Sequence, residues 1–518
     1  MNLKMLKKQV FNYLLLLLFL PLAFCQTVKK EELVTIDANT IISSEFIGNG
    51  VEWSAYPHAD ADDAEWGLLM TNKKWETVFK RLDYMKPKIV RVLDQANWRY
   101  LEGIDKDGNP ILNFENQEMH ALYKLLDYCQ KNDIKVILGE WGQPYKVHDT
   151  HLKMQNTFTG ATDPKWLNSI AEHLNYLVNT KGYSCIKYYN LVNEPNGYWS
   201  SIDGNWDEWK LGVKKLDSAL VSKKLKTPVH VIGPDATPFN NDKSKYTGTE
   251  WAKESVLQLS NVLAAYDVHD YPTKEFVRSG EFEKKYSAMI SFADSVAKKP
   301  FILGEIGFEK YVDENIKRYE ADPFASPDSQ LSVYDYDYGV DMADVLIQSM
   351  NSGFDAVIAW GLDDAMHTNG DTGDKNQLKK WGMWNILGKE LTGDAKEEDI
   401  RPWFYTWSII TRYFTEDMKI VKTTGLKLNK VRMVSGWSTN NHVTFSIVNN
   451  SSKNATFTLD TKNLQNKNFK KFIYSEKNRP VDGNNFPKAV QTNLSFSSDS
   501  KQITIPAKSV LLYTTYNY

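Results

Sequence analysis

The chain has 518 residues, 42% of them hydrophobic, with 62 Lys+Arg against 65 Asp+Glu and a formal net charge of −3. Near-neutral charge removes the electrostatic case for nucleic acid or an anionic membrane surface as a partner. Length and apolar content suffice for a large core and a smaller second domain.

In chain order, Lys4, Lys7 and Lys8 precede an apolar run from Tyr13 to Phe24 that is short for a bilayer span. The pattern predicts a signal peptide over residues 1–25 and export, periplasmic or extracellular, with no transmembrane segment after cleavage. Leu22-Ala23-Phe24-Cys25 also imitates a bacterial lipobox. The bulky Phe24 disfavours lipidation of Cys25, so cleavage leaving Gln26 is the expectation, with a lipid anchor as the alternative. Only Cys129 and Cys185 remain. They could form one bridge but make neither a disulfide framework nor a metal signature, and two buried thiols are the plainer reading.

From Phe46 to Phe414, short β-rich runs alternate with segments of helical period. The strand-like runs are Ile47–Trp53, Ile89–Leu93, Lys135–Trp141, Ile186–Asn193, Val229–Asp235, Ala264–Tyr271, Phe301–Phe308 and Ala356–Leu362. Met119, Leu122, Tyr123, Leu126 and Cys129 follow the i, i+3, i+4, i+7 pattern between two of them. Leu167–Val178 and Met342–Met350 repeat it. Eight strand–helix units predict a (β/α)8 TIM barrel over residues 26–414. A doubly wound open sheet would want a glycine-rich turn after its first strand, where Ser54-Ala55-Tyr56-Pro57 stands.

Beyond Phe414 the helical period ends. Val443–Asn449, Ala455–Leu459, Lys471–Tyr474, Leu494–Ser497 and Ile503–Ile505 predict a β-sandwich over 415–518, with 32–40 placed to lend it a strand. With no linker between them, the two domains are expected to pack tightly, the sandwich supporting the barrel rather than serving as a carbohydrate-binding module.

Catalytic groups in a TIM barrel sit where the strands end. Those ends carry Glu52-Trp53, Arg91, Glu140-Trp141, Asn193-Glu194-Pro195, Asp235, His269-Asp270-Tyr271, Glu305 and Trp360 with Asp363 and Asp364. Folding needs none of these there. Two facing carboxylates are what glycosidic cleavage requires, one to protonate the leaving oxygen and one to attack or to activate water. Glu194 on strand four and Glu305 on strand seven face each other across the mouth, at the separation expected of a retaining enzyme. Glu140 lies on the strand beside Glu194, so the two would not face across a sugar; it is the leading decoy, with a substrate-binding or pKa-tuning role, or none. Asp235 and His269 also admit structural readings, as a helix cap and a satisfied donor. Trp53, Trp141 and Trp360 are candidate sugar platforms, and Trp199, Trp381 and Trp384 candidate contacts for further sugar units. Asp363, Asp364, Asp371 and Asp374 lack the spacing of a calcium loop, and no metal or organic cofactor is called for.

The segment Tyr188-Tyr189-Asn190-Leu191-Val192-Asn193-Glu194-Pro195 resembles the strand-four signature of clan A of the glycoside hydrolases, and Phe301-Ile302-Leu303-Gly304-Glu305 resembles its strand-seven nucleophile segment. The resemblance spans the whole barrel. It implies that Glu194 is the acid/base, Asn193 a ligand of the sugar 2-hydroxyl, and Glu305 the nucleophile. It further implies Arg91 and Tyr271 as partners that keep Glu305 ionised, His269 beside them, and Trp360 as the platform under the sugar being cleaved. Layout resembles families 39, 30 and 158, the last containing endo-β-1,3-glucanases, without matching one closely enough to assign. The implied reaction is retaining hydrolysis of a β-linked poly- or oligosaccharide by double displacement, with the acid/base pKa raised by its neighbour's charge. A silent glycan-binding barrel and a transglycosylase with the same carboxylates are the alternatives. Sugar, linkage, endo or exo action and oligomeric state stay open.

Overall fold

Eight parallel strands pair in one ring: Gly48–Glu52, Ile89–Asp94, Lys135–Glu140, Ile186–Asn190, His230–Val231 with Gly233–Ala236, Tyr266–Asp270, Phe301–Ile306 and Ala356–Ala359. The fifth is divided at Ile232, its first part pairing with strand four and its second with strand six. Strand eight pairs back onto strand one, which closes the barrel. This computed structural model describes residues 33–54, 56, 66–143, 158–368 and 373–518. The expected signal peptide, Cys25 and Asp371 lie outside the described residues. Cys129 and Cys185 are free, buried thiols.

Alternation decides which side chains fill the barrel. Ile47, Ile89, Ile137, Ile232, Ala265, Ile302, Ala356 and Ile358, with Tyr188 packed against them, form a cluster of their own. Drawn from all eight strands, it is the barrel interior. Their strand neighbours, such as Val90, Val136, Tyr266 and Leu303, join the larger core under the helices. The helices Asn72–Met85, Gln117–Lys131, Trp206–Lys223 and Gly248–Leu259 start at Thr71, Asn116, Asn205 and Thr247, whose side chains cap them. Each cap stops the loop from continuing as strand and turns the chain back down the barrel.

Among the described residues the ring's pairing slips at three places, one at Lys187 near the start of strand four and two that serve the mouth. Val268 pairs with Leu303 but His269 pairs with Glu305, so strand seven carries one extra residue at Gly304. Asp267 pairs with Pro234 but Val268 pairs with Ala236, so strand five carries an extra residue at Asp235, whose φ is 61°. A bulge re-aims the side chain beside it. Here Glu305 and Asp235 turn inward, while Ile306 and Ala236 still reach the outer core. A Cβ on Gly304 would come 2.4 Å from Asp267 Oδ1, so only glycine lets strands six and seven close there.

The C-terminal β-sandwich has one antiparallel sheet ordered Thr35–Ser43, Met418–Thr424, Val431–Ser438, Val443–Asn449, Ser509–Thr514, Phe469–Tyr474, Gln491–Leu494. The pair Ala455–Asp460 and Ser500–Ile505 covers it, and Phe457, Leu459, Ile503 and Ile505 share a core with Phe445, Ile447 and Leu511. The barrel helix Tyr336–Ser352 is buried nearly all round because the sandwich covers its outer side. Arg432 of the sandwich donates to Asp344 at 2.9 Å, Asn450 donates to Asp341 and Asp344 at 2.8 and 2.9 Å, and Arg278 grips Asp341 at 2.9 and 2.7 Å. Both aspartates are fully buried, so the Arg432–Asp344 pair and the Asn450 bonds tie the domains at a desolvated seam. Removing one partner of a buried pair leaves the other charge uncompensated, at about 3–5 kcal/mol. Asp344→Ala should therefore destabilise the protein by about 3 kcal/mol. Denaturant unfolding followed by tryptophan emission should keep one transition, and a split into two would show that the seam does not couple the domains.

Candidate active site

Arg91, on strand two and fully buried, is the hub. Its Nη1 donates to Glu305 Oε1, and its Nη2 donates to Asn193 Oδ1 at 2.7 Å and Asp235 Oδ2 at 2.9 Å. Tyr271 Oη donates to the other oxygen of that carboxylate, Glu305 Oε2, at 2.6 Å. Glu194 sits in the turn after strand four with φ 47°. Trp199 Nε1 donates to its Oε2 at 2.7 Å. His269 bridges the carboxylates: Nδ1 lies 3.1 Å from Glu194 Oε1 and 3.5 Å from Glu305 Oε2, while Nε2 lies 2.7 Å from Asp235 Oδ1. Five strand ends thus meet in one hydrogen-bonded cluster.

Burial disfavours the charged form of every group here, and the neighbours decide the outcome. For Asp235, burial raises the pKa but Arg91 and His269 win, bringing it to about 2. For His269, burial works against the imidazolium, yet Asp235 and Glu305 hold it well above its ordinary value. Burial lifts Glu305, against the pull of His269 and Arg91 and with the help of Glu194. Arg91 and Tyr271, the partners expected to keep Glu305 ionised, both donate to it and pull against that burial. Asp267, buried beside Asp235, rises to about 7. Asn190 Nδ2 donates to both aspartates, at 2.8 and 3.0 Å.

Atoms of Glu194, His269 and Glu305 lie within 4.8 Å of one another, as do atoms of Asp235, Asp267 and His269. A cation at the first set would sit beside the Arg91 guanidinium. Both Glu305 oxygens and one of Glu194 already accept protein donors, so the donor set fits a carboxylate pair better than a metal centre.

Other expected residues fall elsewhere. Trp53 is fully buried outside the barrel wall, edge-on to Phe79 and Tyr128. It cannot stack on a sugar, because its neighbour Glu52 takes the inward position and adjacent strand residues face opposite ways. Glu140 is corrected for the same reason, with Trp141 as its partner in alternation. It is buried behind strand three, accepting from Tyr100 Oη at 2.7 Å, Tyr189 Oη at 3.2 Å and the Ala96 N–H at 2.9 Å. Trp384 is core as well, fully buried with its Nε1 on Asp363 Oδ2 at 2.7 Å. Trp141 and Trp360 are half-buried. The Lys379 ammonium lies 5.9 Å from the Trp141 ring, and Trp360 stacks on His367 at 5.8 Å. Trp381 packs edge-on to Tyr271 at 5.4 Å, and Trp199 is 37% exposed. Asp363 accepts from Tyr56 and Trp384, and Asp364 pairs with Arg401, so both anchor the strand-eight loop.

Sequence reasoning gave no role to Asn190 and Asp267, which hold Asp235 from below, or to Glu52, noted only as a strand end and fully buried with Oε2 unpartnered and Oε1 3.6 Å from His367 Nε2. Alternation counted from Arg91 and His269 could have found Asp267 and Glu52. The bulge at Asp235 left no signal in the residues.

No protein-family model matches the chain, and no curated protein matches its sequence. Solved structures do match along nearly all of it. A GH30 endoxylanase from Clostridium papyrosolvens C71 superposes with TM-score 0.60 at 13% identity, covering 94% of this chain and 100% of that one. An endo-β-1,6-glucanase gives 0.58 at 16%, covering 94% of each. A GH39 β-xylosidase from Caulobacter crescentus gives 0.57 at 11%, covering 94% and 100%. The fold is that of the clan A glycoside hydrolases. Families 30 and 39 of clan A both appear among these neighbours, and the identities assign neither.

Glu140 supplies a pH test of its place behind the barrel wall. Burial, then Asp94, raises it to about 8. A carboxyl whose folded pKa exceeds its unfolded value adds stability that is complete below the unfolded pKa and lost as pH rises through the folded one. That loss should run between about pH 4.5 and 8. Glu140→Gln lacks this dependence, so its stability relative to wild type should improve from pH 5 to 8.5, by about 4 kcal/mol. Thermal unfolding at both pH values reads it, and an unchanged difference would mean that Glu140 is ionised throughout.

Proposed function

We propose that this protein is an exported retaining glycoside hydrolase acting on a β-linked oligo- or polysaccharide, with Glu305 as nucleophile and Glu194 as acid/base. Residues 26–414 form its catalytic domain in this reading, and 415–518, with the first described strand, its supporting sandwich. The observation that carries the reading is the approach of the two carboxylates, oxygens of which lie within 4.8 Å of each other. Retaining enzymes hold the pair about 5–5.5 Å apart, whereas inverting enzymes leave roughly 6.5–9.5 Å for a water.

In the first step Glu305 attacks the anomeric carbon while Glu194 gives its proton to the departing oxygen. The product is a glycosyl ester on Glu305. In the second step Glu194, now a carboxylate, takes a proton from water as that water displaces Glu305, and configuration is retained. Arg91 and Tyr271 hold one oxygen each of Glu305, which fixes its angle of attack and favours its ionised form. Asn193 Oδ1 accepts from Arg91, which leaves Nδ2 to donate to a sugar hydroxyl next to the reacting carbon. Trp141 and Trp360 offer half-open rings for the sugar faces. Neighbours named as an endoxylanase, a β-xylosidase and an endo-β-1,6-glucanase favour a β-linkage.

Reducing-sugar release from β-glucans, xylan, mannan and arabinan should appear with wild type and fall roughly 10³-fold or more with Glu305→Gln. Glu194→Ala should keep part of its activity on an aryl glycoside whose leaving group needs no proton. Azide should rescue it to a retained glycosyl azide, and rescue Glu305→Ala to the inverted one. Full activity in either variant would refute the assignment.

A further inference from the structure

The acid/base side of the mouth carries aromatic surface that folding does not require. Tyr198 is 73% exposed, Phe239 48% and Trp199 37%, all on loops that follow strands four and five. Tyr198 meets Trp199 edge-on at 4.8 Å, and Trp199 meets Phe239 at 6.1 Å. Exposed apolar rings gathered on one rim mark a binding surface more often than chance.

The ridge is built, not draped. Asn196, almost fully buried, donates to the Thr237 and Phe239 carbonyls at 2.9 and 3.1 Å and accepts the Thr237 N–H at 3.0 Å. It thereby locks the strand-four loop to the strand-five loop. Gly197 lets the Trp199 indole fold flat over the turn, since a Cβ there would stand 2.4 Å from the ring. The fold-back delivers Trp199 Nε1 to Glu194 Oε2 at 2.7 Å. One end of the ridge is therefore fixed to the carboxyl that would protonate the leaving oxygen. A rigid, prepositioned ring surface loses little entropy on binding.

We propose that Tyr198, Trp199 and Phe239 form the surface on which the departing saccharide lies, so that the enzyme cleaves within glycan chains and needs sugar units beyond the scissile bond. This rests on Glu194 being the acid/base. The ring faces suit the CH faces of sugars, and the absence of a charged group among the three suits a neutral glycan.

The test pairs two substrates with one double variant, Tyr198→Ala/Phe239→Ala. Both side chains are exposed, and an unchanged unfolding temperature checks that the variant folds. Xylohexaose, cellohexaose and laminarihexaose place sugars on the ridge, whereas a 2,4-dinitrophenyl glycoside of the same sugar places none. The ratio of kcat/KM for the hexaose to that for the aryl glycoside should fall about tenfold or more in the variant. An unchanged ratio overturns the ridge and leaves the hydrolase reading standing. Calorimetric titration of the three hexaoses provides a readout that needs no turnover. Weaker binding by the variant supports the ridge even where wild type cleaves nothing, an outcome that would count against hydrolysis alone. Equal affinities, or no binding of any hexaose by wild type, overturn the ridge.

Discussion

A guanidinium taken out of water at the centre of a barrel mouth is strongly unfavourable unless anions and acceptors meet it. Arg91 is met by Glu305, Asp235 and Asn193, which come from strands or turns seven, five and four. One cation on strand two therefore dictates where three other strand ends must lie. The bulges that turn Glu305 and Asp235 inward make sense as consequences: without them alternation would send both carboxylates into the helix layer and leave Arg91 with Asn193 but neither anion. The seam between the domains repeats this logic at Arg432 and Asp344, with stability rather than chemistry at stake.

The same cation orders the protons around it. Arg91 and His269 both favour an ionised Asp235, and that fixed negative charge, after burial, pushes Asp267 towards neutrality. Asp235 and Glu305 in turn favour the imidazolium form of His269 against its burial. His269 then presents positive charge between Glu194 and Glu305, where two carboxylates within 4.8 Å would otherwise repel. Neither carboxylate can be understood without the imidazole that separates them, and the imidazole cannot be understood without Asp235 behind it. Asp235 had a plain sequence reading as a helix cap; its three partners place it in the charge network instead.

The barrel was legible because buried parallel strands are near-continuous apolar runs and their helices keep a clean period. The strand-four and strand-seven glutamates stood out because no folding rule calls for them. Strand ends were read less well: the apolar runs extend into the turns that carry Asn193, Glu194 and Tyr271, where pairing has already stopped. Sandwich strands Met418–Thr424 and Val431–Ser438 escaped notice, since Lys, Thr and Ser dilute their alternation. The errors at Trp53 and Glu140 have a single cause. Each was taken together with its inward neighbour, Glu52 or Trp141, although consecutive residues of a strand cannot share a face.

Alternation would have prevented those two errors and, applied strictly, would have produced a worse one. Counting from Ile302 inward, Leu303 outward and Gly304 inward puts Glu305 outward, behind the wall with Glu140. What rescues it is the extra residue at Gly304, and glycine is there because Asp267 occupies the space a side chain would need. Asp267 is itself held by Asn190. The position of Glu305 thus rests on a close contact between two strands far apart in sequence, which no local pattern encodes. Motif and period are reliable where a residue obeys the fold. At the mouth of this barrel the residues that matter are those placed by departures from it, so their geometry had to come from the packing of strands against one another.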